Sequence, residues 1–376
     1  TALGQEDDIL SYVDRLHLTK KKQLISSVKK YRRNFSKVEM GTASGGGEYR
    51  DKWTDKVVDS FHMADGWRQD NTQKCIATHQ SDTQLTIPIR WVGTFFADIN
   101  QSSVAIEWAQ SLSSLQNVGM CHCGNQYSRP FVHGLPHTLR QRLYAMSERY
   151  DDLDKGIAIY HNVSEDTELL SNSDYHIGIA NASSSSLCPA VVKIYNQFDE
   201  VWVANSFLKD IVIRSGVEKR KVERIPMSFD NHFFAPKNID SSIPSQKTDF
   251  QFLAIVDDPK RCGLDLSVQA FLEQFNTNES VSLLVFPCGT STERLENIKS
   301  IQATLSEYVS YSHSSRIKII EDAIPWNELP ELINESDCVV LPYRFEAYGM
   351  EVVRAIGCGR PVISTNHGGV GKLLES

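Results

Sequence analysis

The stretch with the most chemistry in it is YRFEAYGMEVVRAIGCGRPVISTNHGG, Tyr343 to Gly369. It reads as a loop, a helix opening at Met350, a buried strand and a glycine turn. The amides of Tyr348, Gly349 and Met350 lie at the start of that helix, where unpaired N–H groups and the helix dipole make a site for an anion such as a diphosphate. Gly349 lets a ligand approach the backbone, and Glu346 can accept hydrogen bonds from sugar hydroxyls beside it. The same residues also suit a plainer role, a helix N-terminus with an acidic side chain placed for the dipole. Arg354 faces the same way as Glu346 two helical turns later.

These residues have to be held by folded elements, and the chain has the means. Its 376 residues suffice for two domains, and 41% hydrophobic with 23% charged residues is the composition of a globular protein. It has no apolar run long enough to span a bilayer. A net charge of -8 argues against nucleic acid as the main partner, because phosphate neutralisation needs a basic face. Among eight scattered cysteines the close pair is Cys121-His122-Cys123, which lacks a second pair at zinc-site spacing and reads as loop thiols rather than a metal site. Asn-x-Ser triplets begin at Asn34, Asn100, Asn162, Asn181, Asn278 and Asn334, an excess that points to a secretory lumen (Golgi or endoplasmic reticulum) rather than the cytoplasm. Because the first residue is Thr1, there is room for a leader, a membrane anchor or a further domain outside this segment.

Residues 1–84 read as a helical extension, amphipathic from Ile9 to Tyr31, followed by the flexible GTASGGGEYR. From residue 85 to 236 strands alternate with helices. IPIRWVGTFF is a strand, SSVAIEWAQSL a helix capped by Ser102 or Ser103, and GIAIYHNV, YHIGIAN, DEVWVANS and KVERIPMS are further strands. Residues 237–249 are polar and proline-bearing, an interdomain linker. The alternation restarts over 250–376 with FQFLAIV, SLLVFP, RIKIIED, DCVVLPY and RPVIST, and the domain is expected to continue beyond Ser376. The fold class is therefore α/β, with two Rossmann-like doubly wound domains facing a cleft at the carboxyl ends of their strands.

Three stretches, DEVWVANSFLKDIVIRSGVEKRKVERIPMSFDNHFFAP, FLAIVDDPKRCGLDLSVQAF and DCVVLPYRFEAYGMEVVRAIGCGRPVISTNHGGV, resemble a family in this order. They are similar to a retaining nucleotide-sugar glycosyltransferase of the GT-B fold, family four, or glycosyl transferases group 1. The resemblance implies a nucleoside-diphosphate sugar as donor substrate, no bound cofactor or metal, and a carbohydrate, lipid or protein acceptor. It implies that Glu346 contacts the sugar and that the position eight residues on holds the ribose. That position is Arg354, which donates hydrogen bonds and accepts none, so Glu351 on the same broad helical face is the residue that could compensate. The family's two phosphate-neutralising positions fall on Val256 and Cys262, leaving the adjacent Lys260 and Arg261 to supply charge. The nucleotide base would rest near Ile324 and Pro325. In the first domain Gly93 opens the loop facing the diphosphate, and His161 at a strand end is the candidate catalytic histidine.

Two functions follow from these residues. One is transfer of a sugar to a hydroxyl with retention, and the other is a non-catalytic relative kept as a binding or scaffold module after its donor site decayed. Val256, Cys262 and Arg354 favour the second, while Glu346, Gly349 and RPVISTNHGGV favour the first.

Overall fold

A computed structural model describes residues 87–97, 100–112, 117–123, 129–225, 227, 229–237, 249–275, 279–289, 291–308 and 314–374. The extension helix expected over Ile9 to Tyr31 lies outside the described residues, as does most of the linker between Lys237 and Asp249.

The first domain runs β1 (Ile89–Gly93), α1 (Asn100–Leu112), β2 (Val118–His122), α2 (Arg129–Gly134), α3 (His137–Tyr150), β3 (Ile157–Tyr160), β4 (Tyr175–Ile179), α4 (Pro189–Tyr195), β5 (Glu200–Val203), α5 (Ser206–Arg214) and β6 (Val222–Arg224). Its six strands form one parallel sheet in the order β2-β1-β3-β4-β5-β6. The second domain runs β7 (Phe250–Val256), α6 (Leu264–Gln274), β8 (Val281–Pro287), α7 (Ser291–Ser306), β9 (Ile317–Ile319), α8 (Leu329–Glu335), β10 (Cys338–Leu341), α9 (Met350–Gly357), β11 (Val362–Ser364) and α10 (Gly368–Leu374). Its five strands are also parallel, in the order β11-β10-β7-β8-β9. Strands such as β3, IAIY, are buried at every residue, as expected when helices cover both faces of a parallel sheet.

Ser102 and Ser103 do not cap α1. The helix starts at Asn100, which puts both serines inside the first turn, and both are buried. The sequence reading has no helix between β2 and β3, yet Leu139, Leu143 and Met146 make an apolar stripe at four- and three-residue spacing that packs α3 into the first core.

The two cores meet at the start of α9. Met350 belongs to the cluster built around Trp91, Trp108 and Trp202, and Ala347 to the cluster around Tyr160 and Phe198, although both residues come from the second domain. At its other end α9 lies against the segment that crosses between domains. A Cβ on Gly357 would sit 2.3 Å from Phe229 Cζ and 2.9 Å from the Phe234 carbonyl oxygen. Alanine's better helix propensity, about 0.5–1 kcal/mol, is smaller than the cost of forcing that contact apart. Gly357→Ala is expected to lower stability by about 1–3 kcal/mol, read as a fall in the midpoint of chemical denaturation.

Candidate functional site

The loop from β10 into α9 carries Glu346. Gly349, with φ of 78°, turns the chain into the helix, and a Cβ there would be strained as well as 3.1 Å from Val370 Cγ2. Glu346 folds back over this turn. Its Oε1 accepts the Tyr348 N–H at 2.9 Å and the Gly349 N–H at 3.0 Å. Two of the three amides expected to stand free for a diphosphate are therefore occupied by a carboxylate two residues away, although both precede Met350 and no side chain caps the helix itself.

The other oxygen of Glu346 is paired with Arg261. Arg261 Nη1 donates to Glu346 Oε2 at 2.6 Å and to the Phe345 carbonyl at 3.2 Å, while Nη2 is held by both oxygens of Asp257. Burial works to lower the Arg261 pKa, but Asp257 and Glu346 outweigh it and the guanidinium is held above its ordinary range. Lys260 is exposed, and its carbonyl accepts from Arg344, which grips Asp265 through two bonds of 2.7 Å. Val256 and Cys262 are both buried, and the Cys262 thiol donates to Asp257 Oδ1 at 3.1 Å. Arg261, not Lys260, thus supplies the cation facing the Glu346 loop.

Across from this loop stands the first domain. The Tyr348 hydroxyl donates to the Ala180 carbonyl at 2.7 Å, and Asn205 Nδ2 donates to the Ala347 carbonyl at 2.6 Å. At the end of β1, Gly93 is pressed against His161, with 2.9 Å from its would-be Cβ to His161 Cβ. The loop after Gly93 is braced by His122, whose Nδ1 accepts the Phe95 and Phe96 N–H groups at 3.0 and 3.2 Å. That is the use the fold makes of the histidine between Cys121 and Cys123. Among the described residues, no group of three or more His, Cys, Asp or Glu side chains could hold a metal ion. His161 itself is buried, and burial pushes its pKa down to about 3. An imidazole in that state is neutral at neutral pH.

Arg354 is where structure and expectation part most. It does not face a ligand cleft. Its side chain is fully buried, with Nη1 donating to Glu351 Oε1 at 2.7 Å and Nη2 donating to Ser103 Oγ at 2.8 Å and Glu107 Oε1 at 2.7 Å. The guanidinium carbon lies 4.6 Å from the Trp326 ring centroid and 5.3 Å from that of Phe234. Ser103 and Glu107 are on α1, so this cation ties the two domains together. Glu351 is taken up in the same cluster and does not stand open to a ribose. Nothing in the sequence singles out Glu107, since its partner is 247 residues away.

One guanidinium here serves two buried carboxylates. Burial raises the Glu107 pKa to about 7, Arg354 only partly offsetting it, and Glu351 is raised for the same reason. Beside Glu107 a pocket of about 250 Å³ opens between the domains, bounded by Leu139, Arg142, Asp230, Phe233 and Trp326. Ile324, two residues before Trp326, is half-buried against the second core.

Between the unfolded value of 4.5 and the folded value of about 7, the folded state binds more protons at Glu107 than the unfolded state does. Its contribution to stability is therefore complete at low pH and lost as pH rises through that window. His161 acts oppositely, losing stability as pH falls below 6.5, so a difference measurement is needed. The thermal midpoint of the wild type relative to Glu107→Gln should fall as pH rises from 5 to 7.5, and level off above that range.

Comparison with known proteins gives this geometry a setting. Residues 249–376 match the family model described as glycosyl transferases group 1. Mannosylfructose-phosphate synthase of Agrobacterium fabrum is 24% identical over 187 residues, covering 48% of this chain and 41% of that protein. A subunit of the phosphatidylinositol N-acetylglucosaminyltransferase of Arabidopsis thaliana is 24% identical over 175 residues, 46% of this chain and 36% of that protein. The matches thus span about two fifths of the length of these curated relatives. In structure, the chain is similar to Anabaena Alr3699/HepE. The complex of that protein with UDP and glucose superposes with a TM-score of 0.56 at 13% identity, covering 76% of this chain and 83% of that one. Its complex with UDP-glucose gives 0.56 at 15% identity, covering 77% and 83%. With two parallel sheets facing each other across α1 and α9, the chain has the GT-B architecture of these solved structures, and the match to glycosyl transferases group 1 lies in its carboxyl-terminal domain.

Proposed function

We propose that the protein transfers a glycosyl group from a nucleoside-diphosphate sugar to a hydroxyl of a carbohydrate, lipid or protein acceptor, with retention. The observation that carries this reading is the pairing of Arg261 with Glu346 at the start of α9, on a loop that bonds to Ala180 and Asn205 of the first domain. Solved proteins of the same fold hold UDP with glucose, or UDP-glucose. Retention rests on the resemblance of the Glu346 segment to the family motif.

In this scheme the bond from the sugar's anomeric carbon to the diphosphate breaks, and negative charge builds on the departing phosphate oxygens. The amides of Tyr348 and Gly349 and the guanidinium of Arg261 are the donors at hand for that charge. A diphosphate taking over these groups displaces Glu346, whose freed carboxylate then accepts from sugar hydroxyls. Asp257 and Glu346 together outnumber Arg261 in charge, so the exposed Lys260, on its flexible stem, supplies the additional cation. The base rests near Ile324 and Pro325.

A specific observation favours the second reading, a non-catalytic binding or scaffold relative. Arg354 is sealed between α1 and α9 and bonded to three partners, with no face left for a nucleotide in this state. The six Asn-x-Ser triplets support placing the protein in a secretory lumen. Asn334 serves the fold instead, its amide donating to the Ala235 and Pro330 carbonyls and accepting from the Lys237 N–H.

Thermal-shift titration with UDP, GDP and their sugars separates the readings. A nucleotide at a hundred times its dissociation constant stabilises the fold by about 2.7 kcal/mol, so a rise in midpoint with one nucleotide supports the donor site and names the base. No rise with any of them at millimolar concentration favours the scaffold reading. Where transfer is detected, Arg261→Ala should lower kcat by about 10²–10³-fold, measured as nucleoside diphosphate released.

A further inference from the structure

We infer that Arg354 of α9, with Glu107 and Ser103 of α1, is an interdomain latch that holds the cleft shut and must release before the donor site can fill. The inference rests on the donor reading above for what release exposes, but the latch itself stands on geometry.

Three observations carry it. The contact is polar, short and crosses between domains, with Arg354 Nη2 shared by Ser103 Oγ at 2.8 Å and Glu107 Oε1 at 2.7 Å. Its cation keeps a partner on its own helix, Glu351 at 2.7 Å, so Glu107 can leave without stranding a bare guanidinium. Glu107 borders the pocket of about 250 Å³, which gives its carboxylate a place to turn into when the bond to Arg354 breaks. Such a device resembles a two-state switch more than a static strut, because each half of the broken pair retains a polar environment.

The latch also bears on the site through α9. This helix carries Arg354 in its second turn and the Glu346 turn at its start, so a movement that frees Arg354 from α1 shifts the amides of Tyr348 and Gly349 relative to Ala180 and Asn205. The closing bonds at that end, from the Tyr348 hydroxyl and Asn205, are each a single neutral hydrogen bond. The charged, buried contact is the stronger of the two ends. A nucleotide that binds only the open form has its affinity reduced by the fraction of molecules that are open.

The test compares wild type, Glu107→Ala and Glu107→Gln by amide hydrogen exchange and by titration with UDP and GDP. Glutamine keeps an oxygen that can accept from Arg354, and alanine removes it. The latch predicts exchange in Asn100–Leu112 and Met350–Gly357 faster by about tenfold or more in the alanine variant, as for loss of a charge-assisted hydrogen bond. It predicts near wild-type exchange in the glutamine variant, and unchanged exchange in α6 and α7 in both. If a nucleotide binds, the alanine variant should bind it about tenfold more tightly. Faster exchange in the two helices with no nucleotide bound by any variant upholds the latch and sinks the donor reading. Equal exchange in wild type and Glu107→Ala overturns the latch, and so does equal acceleration in alanine and glutamine variants, which would mark a packing defect. Should Glu107→Ala fail to fold, Ser103→Ala serves instead. It removes one hydroxyl, and the same two helices must then exchange faster than in wild type or the latch is overturned.

Discussion

A guanidinium taken wholly out of water is the interaction on which the closed form of this protein depends. Removing a cation from solvent costs several kcal/mol, and only close partners offset it. Arg354 has them from both domains: Glu351 on its own helix, Ser103 and Glu107 on the opposite domain, and the rings of Trp326 and Phe234 beside it. Because two of its three hydrogen-bond partners belong to the other domain, α1 and α9 cannot part without exposing the group or re-pairing it. The seating of Met350 and Ala347 in the first domain's cores and the close approach at Gly357 all follow the same helix. One element, α9, is thus core to both domains.

The same economy of charge shapes the Glu346 turn. A helix start leaves N–H groups unsatisfied, and a nearby carboxylate is as good an acceptor as a phosphate. Glu346 accepts from the Tyr348 and Gly349 amides just ahead of α9, and Arg261 neutralises Glu346 while also pairing with Asp257. A ligand that enters must match these bonds rather than fill an empty cradle. The cost of binding is set by exchange of partners, and specificity follows from which ligand groups replace a carboxylate oxygen on two amides and one guanidinium.

Much of the scaffold is written locally. Runs such as IAIY and FLAIV are apolar at successive residues, which only a strand covered on both faces can use, and the helices between them carry their own stripes. The stripe of Leu139, Leu143 and Met146 is equally local, and it escapes a reading by sequence because charged residues crowd the intervening positions of HTLRQRLYAMSERY. The turn at Gly349 and the arrival of a helix at Met350 are legible for the same local reason, a glycine followed by an apolar period. The fate of His161 is not, because whether an imidazole is buried depends on a glycine of another strand.

By itself the sequence determined the α/β class, the two alternating domains, the position of Glu346 at a helix start, and that an arginine occupies the eighth place after it. Those depend on neighbours within a few residues along the chain, through hydrogen-bond periodicity and side-chain spacing. Only the tertiary structure decided that Arg354 pairs with Glu107 and that Arg261 rather than Lys260 faces Glu346. Each of these is a choice among polar partners, 247 residues apart for Arg354 and Glu107 and 85 for Arg261 and Glu346. Such a choice is settled by distance and desolvation in three dimensions, which the linear order of the residues does not contain.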